Sequence, residues 1–271
     1  MPVFNDWRSI ALLLPMLERE LQIAGLQTSL LLVDDGSTEK LPKNLFDKTL
    51  QSIQQIDVLT LRRNLGHQRA IAVGLAYIEA NDPSCSVVIM DADGEDRPGD
   101  IPHLVRECLA QNGEKIIFAA RTRRSEGLTF TCFYHLYRLV HWLLTGISVR
   151  VGNFSIVPAS ALKRLVAVSE LWNHYAAAVY KAQLPLALVP TERGDRLDGT
   201  PRMDLVSLVV HGLSAMAVFG DRIGVRLLIL VALGMALTVG AIAAVARIRL
   251  SGEKETVLTE PVCPVKLTRS L

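Results

Sequence analysis

Between Ser29 and Val189 the chain alternates short apolar runs with longer stretches whose apolar residues recur at helical spacing. This order restricts the fold more than any other feature of the sequence. The runs are Ser29–Val33, Ile56–Leu61, Ser86–Met90 and Lys115–Ala120, with later strands expected at Asn153–Val157 and Leu186–Val189. Between them Gln68–Ala80 and Ile101–Gln111 read as helices, and Asp6 is placed to cap a helix running toward Ala24. The alternation predicts an α/β fold, a mostly parallel sheet flanked by helices, with ligands gathering at the carboxyl ends of the strands. A chain of 271 residues is long enough for one large domain, or for a medium one with an appendage. No internal repeat is present.

The C-terminal part has another character. Leu227–Ala246 is an uninterrupted uncharged run bracketed by Arg226 and Arg247. At about 1.5 Å per residue, a run of this length spans roughly the 30 Å of a bilayer's hydrocarbon core. A buried core helix is the alternative, but most soluble helices keep one polar face and this run has none. Met203–Phe219, where Asp204, Ser207 and His211 interrupt apolar residues, reads as a helix lying along the bilayer surface. Phe130–Ile147 interleaves Phe133, Tyr134, Tyr137 and Trp142 with Arg138 and two histidines. It fits equally a second interfacial helix or an amphipathic helix packed on the sheet.

Composition excludes several classes. The 29 Lys plus Arg against 27 Asp plus Glu leave a net charge of +2, which speaks against an acidic disordered chain and against a basic nucleic-acid binder. The 50% hydrophobic content is concentrated toward the C-terminus and tilts the chain toward a membrane. Cys85, Cys108, Cys132 and Cys263 form no C-x-x-C pair, so neither a disulfide framework nor a zinc knuckle is indicated. No basic segment followed by an apolar stretch and a small-residue cleavage site opens the chain, and the main domain is expected to face the cytosol.

Three groups of residues carry chemistry. The run Leu31–Val33 ends abruptly in Asp34, Asp35, Gly36 and Ser37. Carboxylates there can accept hydrogen bonds from a base or a ribose, although a plain turn explains the same residues. The run Val87–Met90 discharges into Asp91, Ala92, Asp93, Gly94, Glu95 and Asp96. Asp91 and Asp93, two apart, share one side of an extended segment, and Glu95 joins them if the extension continues. Close carboxylates repel unless a cation intervenes, and oxygen-only ligands suit Mg²⁺ or Mn²⁺; the alternative is a solvated acidic loop. The third group is arginines: Arg121, Arg123 and Arg124 after a strand, Arg138 on the aromatic stretch, and Arg193, Arg196 and Arg202 ahead of the apolar segment. Guanidinium groups hold phosphate oxygens and stabilise a leaving group's charge.

Pro2-Val3-Phe4-Asn5-Asp6, Val33-Asp34-Asp35-Gly36-Ser37, Asn64-Leu65-Gly66-His67, Asp91-Ala92-Asp93, Gly152-Asn153-Phe154 and Gly199-Thr200-Pro201-Arg202 follow one another in a telling order. Their joint order resembles that of inverting family 2 glycosyltransferases of GT-A fold, in particular the branch that glycosylates polyprenyl phosphates, the dolichyl-phosphate mannose synthase and bactoprenol glucosyltransferase type. The resemblance runs from Met1 to about Leu237. It implies that Pro2, Phe4, Asp6, Asp34 and Asp35 surround the base and ribose of a nucleotide sugar, and that Asp91, Asp93 and Glu95 hold Mg²⁺ or Mn²⁺. It further implies that Arg121, Arg138 and Arg202, with Asp93, form the catalytic set at the phosphates of donor and lipid acceptor.

The chain departs from that pattern in places. The family's complete first strand is missing before Pro2, Glu95 stands where Gln is frequent, Asn153 replaces an Asp, and Thr200-Pro201 replaces Glu-Ser. The expected organisation is a GT-A domain over 1–202, a juxtamembrane amphipathic segment over 203–222, a transmembrane helix over 223–247 and a polar tail over 248–271. The expected activity is transfer of a hexose from a UDP- or GDP-linked sugar to a polyprenyl phosphate at the inner membrane, with no nucleic-acid partner and with room for a homo-oligomer. A catalytically silent membrane scaffold of the same fold is one alternative. A processive polysaccharide synthase is another, disfavoured because neither a Gln-x-x-Arg-Trp segment nor several pore-forming spans are found.

Overall fold

The computed structural model describes residues 1–46, 50–121, 139–147, 151–199 and 205–257, and of 121, 205–208 and 250–257 the backbone alone. The chain divides into two units, Met1–Gly220 and Asp221–Leu271.

In the first unit all six apolar runs become strands. β1 (Pro2–Val3), β2 (Thr28–Asp34) and β3 (Ile53–Thr60) form a parallel sheet in the order β1-β2-β3. β4 (Val87–Ile89), β5 (Ile116–Arg121), β6 (Ser155–Val157) and β7 (Leu186–Thr191) form a second in the order β4-β6-β5-β7. β5 and β7 run parallel, whereas β6 is antiparallel to both of its neighbours. Pro2 and Val3 stand opposite Val33 and Asp34. The backbone there is closed by bonds from Val33 N–H to the Met1 carbonyl and from Asp35 N–H to that of Val3, both 2.8 Å.

Helices α1 (Trp7–Ala24), α2 (His67–Asn81) and α3 (Ile101–Ala110) cover the sheets. α1 buries Trp7, Ile10, Leu13, Leu14, Leu17 and Leu21, a stripe at helical spacing. It stops at Gly25, whose φ of 64° lets Leu26 N–H return to the Leu21 carbonyl. Asp6 occupies the position before α1 but its side chain makes no capping bond, contrary to the expected cap. α2 approaches β2 closely because Gly74 has no Cβ; one would stand 2.9 Å from Val33 Cγ2. The sequence reading did not single out α4 (Ala159–Val166) and α5 (Tyr175–Lys181). They close a core around Phe118 and Tyr175, whose rings lie 5.6 Å apart and whose hydroxyl meets Ser155 Oγ at 2.8 Å.

Of the expected interfacial stretches, residues 139–145 are helical and α6 spans Leu205–Ala217. Ala215, Val218 and Phe219 pack on Ala177, and the Phe219 ring meets His141 edge-on at 6.3 Å. Trp142, Leu143, Val209, Val210 and Leu213 are exposed. The second unit is dominated by α7 (Gly220–Val257), whose portion Gly220–Arg249 is long and apolar enough to cross a membrane. Its apolar side chains, Leu228, Leu233, Leu237 and Ile242 among them, are exposed.

Candidate functional site

Three loops meet at the carboxyl ends of β1, β2 and β4. The first holds Phe4, Asn5 and Asp6. Asn5, at φ 54°, accepts the backbone N–H groups of Thr38 and Glu39 through Oδ1, each at 2.9 Å, and its own N–H meets Ser37 Oγ. The turn after β2 is thereby tied to the N-terminal segment.

That turn is also locked to the stretch leading into α2. Asp35, almost fully buried, accepts Leu65 N–H at 2.7 Å through Oδ1 and Gly66 N–H at 2.8 Å through Oδ2. Gly36, at φ 71°, lies where a Cβ would stand 2.7 Å from Asn64 N. Asp34 accepts Ser37 N–H, three residues on, at 2.9 Å through Oδ1, which braces the turn. Two separate motifs of the sequence, Asp-Asp-Gly-Ser and Asn-Leu-Gly-His, are thus one folded piece.

The piece delivers His67 to Asp91: Nε2 lies 3.2 Å from Oδ1. A chain of amides approaches from the other side. Tyr175 N–H donates to Gln68 Oε1, which fixes Gln68 so that its Nε2 donates to Asn153 Oδ1; Asn153 Nδ2 then faces His67 Nε2 at 3.0 Å. One ring nitrogen therefore has two suitors, donating to Asp91 whenever it carries a proton and accepting from Asn153 only in the neutral tautomer that leaves it bare. Burial opposes the charge, but the side chain keeps 43% of its exposure, and Asp91, with Asp93 and Asp96 beyond, holds the His67 pKa above the ordinary histidine value.

The acids beyond β4 lie under a strap formed by the residues after β7. Gly194 N–H bonds the Glu95 carbonyl and Leu197 N–H bonds the Asp93 carbonyl, both at 2.9 Å. Gly94, at φ 87°, makes room for Leu197, and Gly194 lies where a Cβ would come 2.6 Å from the Gly94 carbonyl oxygen. Arg193 Nη2 bonds both oxygens of Glu95 at 2.6 Å. Arg196 Nη1 bonds Asp93 Oδ2 at 3.0 Å while its Nη2 reaches Asp6 Oδ1 at 3.4 Å, joining the end of β1 to the end of β4. Asp93 also accepts Glu95 N–H at 3.0 Å. Burial, reinforced by the charges of Asp91 and Glu95, still holds its pKa above the usual carboxylate value despite that bond and Arg196.

Pro2, Phe4, Asp6, Asp34 and Asp35 lie in or just after β1 and β2 and make one rim, and Asp91, Asp93 and Glu95 follow β4 as the other. Among the described residues, no three histidine, cysteine, aspartate or glutamate side chains converge as a ready metal-holding group. Arg193 and Arg196, named in the sequence only as members of the arginine group, sit on carboxylates. Arg121 ends β5 with its backbone opposite Thr191, and Arg138 and Arg202 lie outside the described residues. Sequence reasoning gave no role to Gln68, Asn153 or His67; only the last two stand in motifs that carried the resemblance.

The model of the family described as "Glycosyl transferase family 2" matches residues 1–166. An undecaprenyl-phosphate 4-deoxy-4-formamido-L-arabinose transferase from Photorhabdus laumondii is 29% identical over 127 residues, 47% of this chain and 37% of that protein. The match thus spans little more than a third of that relative's length. The "Uncharacterized glycosyltransferase YkcC" of Bacillus subtilis is 24% identical over 225 residues, covering 82% of this chain and 67% of that one. Among solved structures, mannosyl-3-phosphoglycerate synthase from Rubrobacter xylanophilus superposes with a TM-score of 0.55 at 16% identity, over 82% of this chain and 71% of that one. Glucosyl-3-phosphoglycerate synthase from Mycobacterium tuberculosis, solved with Mn²⁺, UDP-glucose and phosphoglyceric acid, gives 0.53 at 17%, over 82% and 78%. The fold is the GT-A fold.

Proposed function

The chain belongs to glycosyl transferase family 2, and from that membership we propose that it transfers a hexose from a UDP- or GDP-linked sugar to a polyprenyl phosphate. The observation that carries this reading is the meeting of two carboxylate-bearing rims, Asp6, Asp34 and Asp35 against Asp91, Asp93 and Glu95, with Arg196 bridging them. A nucleotide lies across such a junction at the carboxyl ends of strands. The undecaprenyl-phosphate relatives support the lipid acceptor, and the apolar helix supports confinement with it to one membrane. In this reading Pro2, Phe4, Asp6, Asp34 and Asp35 hold the base and ribose, and Arg121, Arg138 and Arg202 the phosphates.

Asp91 and Asp93 fit a divalent cation. Their oxygens are hard donors, and the raised Asp93 pKa marks a place where negative charge is under-compensated. Mg²⁺ is ordinarily held by one or two carboxylates plus substrate phosphates, so a preassembled protein cage is not required. Glu95 joins them in this reading when Arg193 yields it. The bound ion supplies charge neutralisation to the diphosphate. The chain's own part is to orient Asp91 through His67, hold the nucleotide at the first rim and present the acceptor. A phosphate acceptor is already anionic near neutral pH and attacks the anomeric carbon without a strong general base. A single in-line displacement inverts the anomeric configuration.

We assign the catalytic part to 1–202, a surface-lying segment to 203–222, the span to 223–247 and a tail to 248–271, with the catalytic part facing the cytosol at the inner membrane. Exposed Trp142, Leu143, Val209, Val210 and Leu213 offer apolar surface suited to the bilayer interface. The test is to incubate the full chain in membranes with undecaprenyl phosphate and labelled UDP-glucose or GDP-mannose, with Mn²⁺ or with chelator. Metal-dependent label in the organic phase, lost in Asp93→Ala, is expected. Label appearing only as free sugar, or an active Asp93→Ala, sinks the reading.

A further inference from the structure

We propose that Arg196 is a built-in surrogate for the divalent cation, holding Asp93 until the ion displaces it, so that ion binding is coupled to release of the strap over the acids. This rests on the metal reading above and concerns the regulation of the same site. Arg196 keeps only 17% of its side-chain exposure and Asp93 18%. The guanidinium takes Asp93 Oδ2 at 3.0 Å, and the Glu95 amide takes Oδ1, so both of the carboxylate's oxygens are engaged from within the protein. An ion that binds Asp93 meets the positive charge of the guanidinium on Oδ2 and competes with it, whereas the backbone amide on Oδ1 is neutral and fixed by its own loop, leaving the side chain of Arg196 to move. Nη2 on Asp6 and Nε on the Asp198 carbonyl hold the guanidinium in place across the cleft. Leu197 on Gly94, with the two backbone bonds to Asp93 and Glu95, seats the strap so that Arg196 returns to the same carboxylate when the ion leaves. The arrangement offsets part of the acids' repulsion without a ligand, at the expense of ion affinity.

The experiment follows free Mn²⁺ by electron paramagnetic resonance as it is titrated into the full chain in detergent, without donor. Arg196→Gln is expected to bind Mn²⁺ about fivefold tighter or more than the unsubstituted chain, the fold-change matching loss of one competing ion pair. Arg97→Gln removes a charge from the loop that carries the acids, but Arg97 pairs with Glu192, and the variant's affinity is expected to stay within twofold. Arg196→Lys, which keeps the charge and loses the two-pronged grip, is expected in between and serves if Arg196→Gln does not fold. Equal affinity in the Arg196 variants and the unsubstituted chain overturns the surrogate and leaves the metal reading standing, as does an equal gain in Arg97→Gln. No Mn²⁺ binding by any of them, with or without UDP, overturns the metal reading and the surrogate together.

Discussion

Asp35 accepts the N–H of Gly66 at 2.8 Å across 31 residues of sequence, and its second oxygen accepts that of Leu65. This carboxylate, proposed to lie beside the ribose, uses one acceptor position on each oxygen to organise the loop that presents His67. Asp35→Asn leaves an amide NH₂ facing one of two backbone donors. The expected loss is about 2 kcal/mol of stability, read from the urea unfolding midpoint at neutral pH. A drop well under 0.5 kcal/mol would show the clamp to be incidental.

The strap gives a steric prediction. Gly194→Ala places a Cβ 2.6 Å from the Gly94 carbonyl, where backbone must yield, whereas Gly25→Ala, at φ 64°, meets nothing within 4 Å. Gly25→Ala is expected to cost about 1 kcal/mol from backbone conformation alone. Gly194→Ala is expected to cost roughly 1–3 kcal/mol and to loosen the Arg196–Asp93 pair. Thermal unfolding of the two variants side by side separates strain from contact.

Glu18 offers a pH prediction. Its carboxylate accepts the N–H groups of Gln51, Ser52 and Ile53, at the entrance to β3. Burial works against the charge, but the three backbone bonds outweigh it and hold the pKa below the usual glutamate value. A depressed carboxylate stabilises above its unfolded pKa of about 4.3 and loses that contribution as pH falls through the folded value. Because the side chain is partly exposed, Glu18→Gln is expected to cost only about 1 kcal/mol at pH 7. The deficit should vanish in acid, which unfolding curves at pH 7 and pH 3 test.

His174 gives an acid response of the same sign in a higher pH window. Burial, then the neighbouring His211 whose Nε2 lies 3.3 Å away, brings its pKa down to about 3. Between that value and about 6.5 the unfolded chain binds a proton the folded chain refuses, so stability falls as pH falls through this window. His174→Gln should be less stable than the parent at pH 7 and show a shallower loss between pH 6.5 and 4. Parallel curves for the two proteins would refute the assignment.

The strands were legible because each apolar run is short, bounded by turn residues and too uniform for an amphipathic helix. Direction was not: nothing in Ser155–Val157 distinguishes a strand that runs backward between β4 and β5. The rims were legible as Asp34–Ser37 and Asp91–Glu95, since acids directly after buried strands are a local signal. Their partners are not local. Arg196 meets Asp93 across 103 residues and Asn153 meets His67 across 86, and no spacing rule reaches that far. Asp6 shows the converse, a good capping residue at the right position whose side chain is drawn to Arg196 instead. The one hint of the strap was the glycine between two arginines, Gly194, which backbone proximity demands.

Gly36, pressed against the backbone of Arg63 and Asn64, has a last consequence. With no space there for even a methyl group, the turn after β2 and the approach to α2 have no independent freedom and swing, if at all, as a single rigid lip.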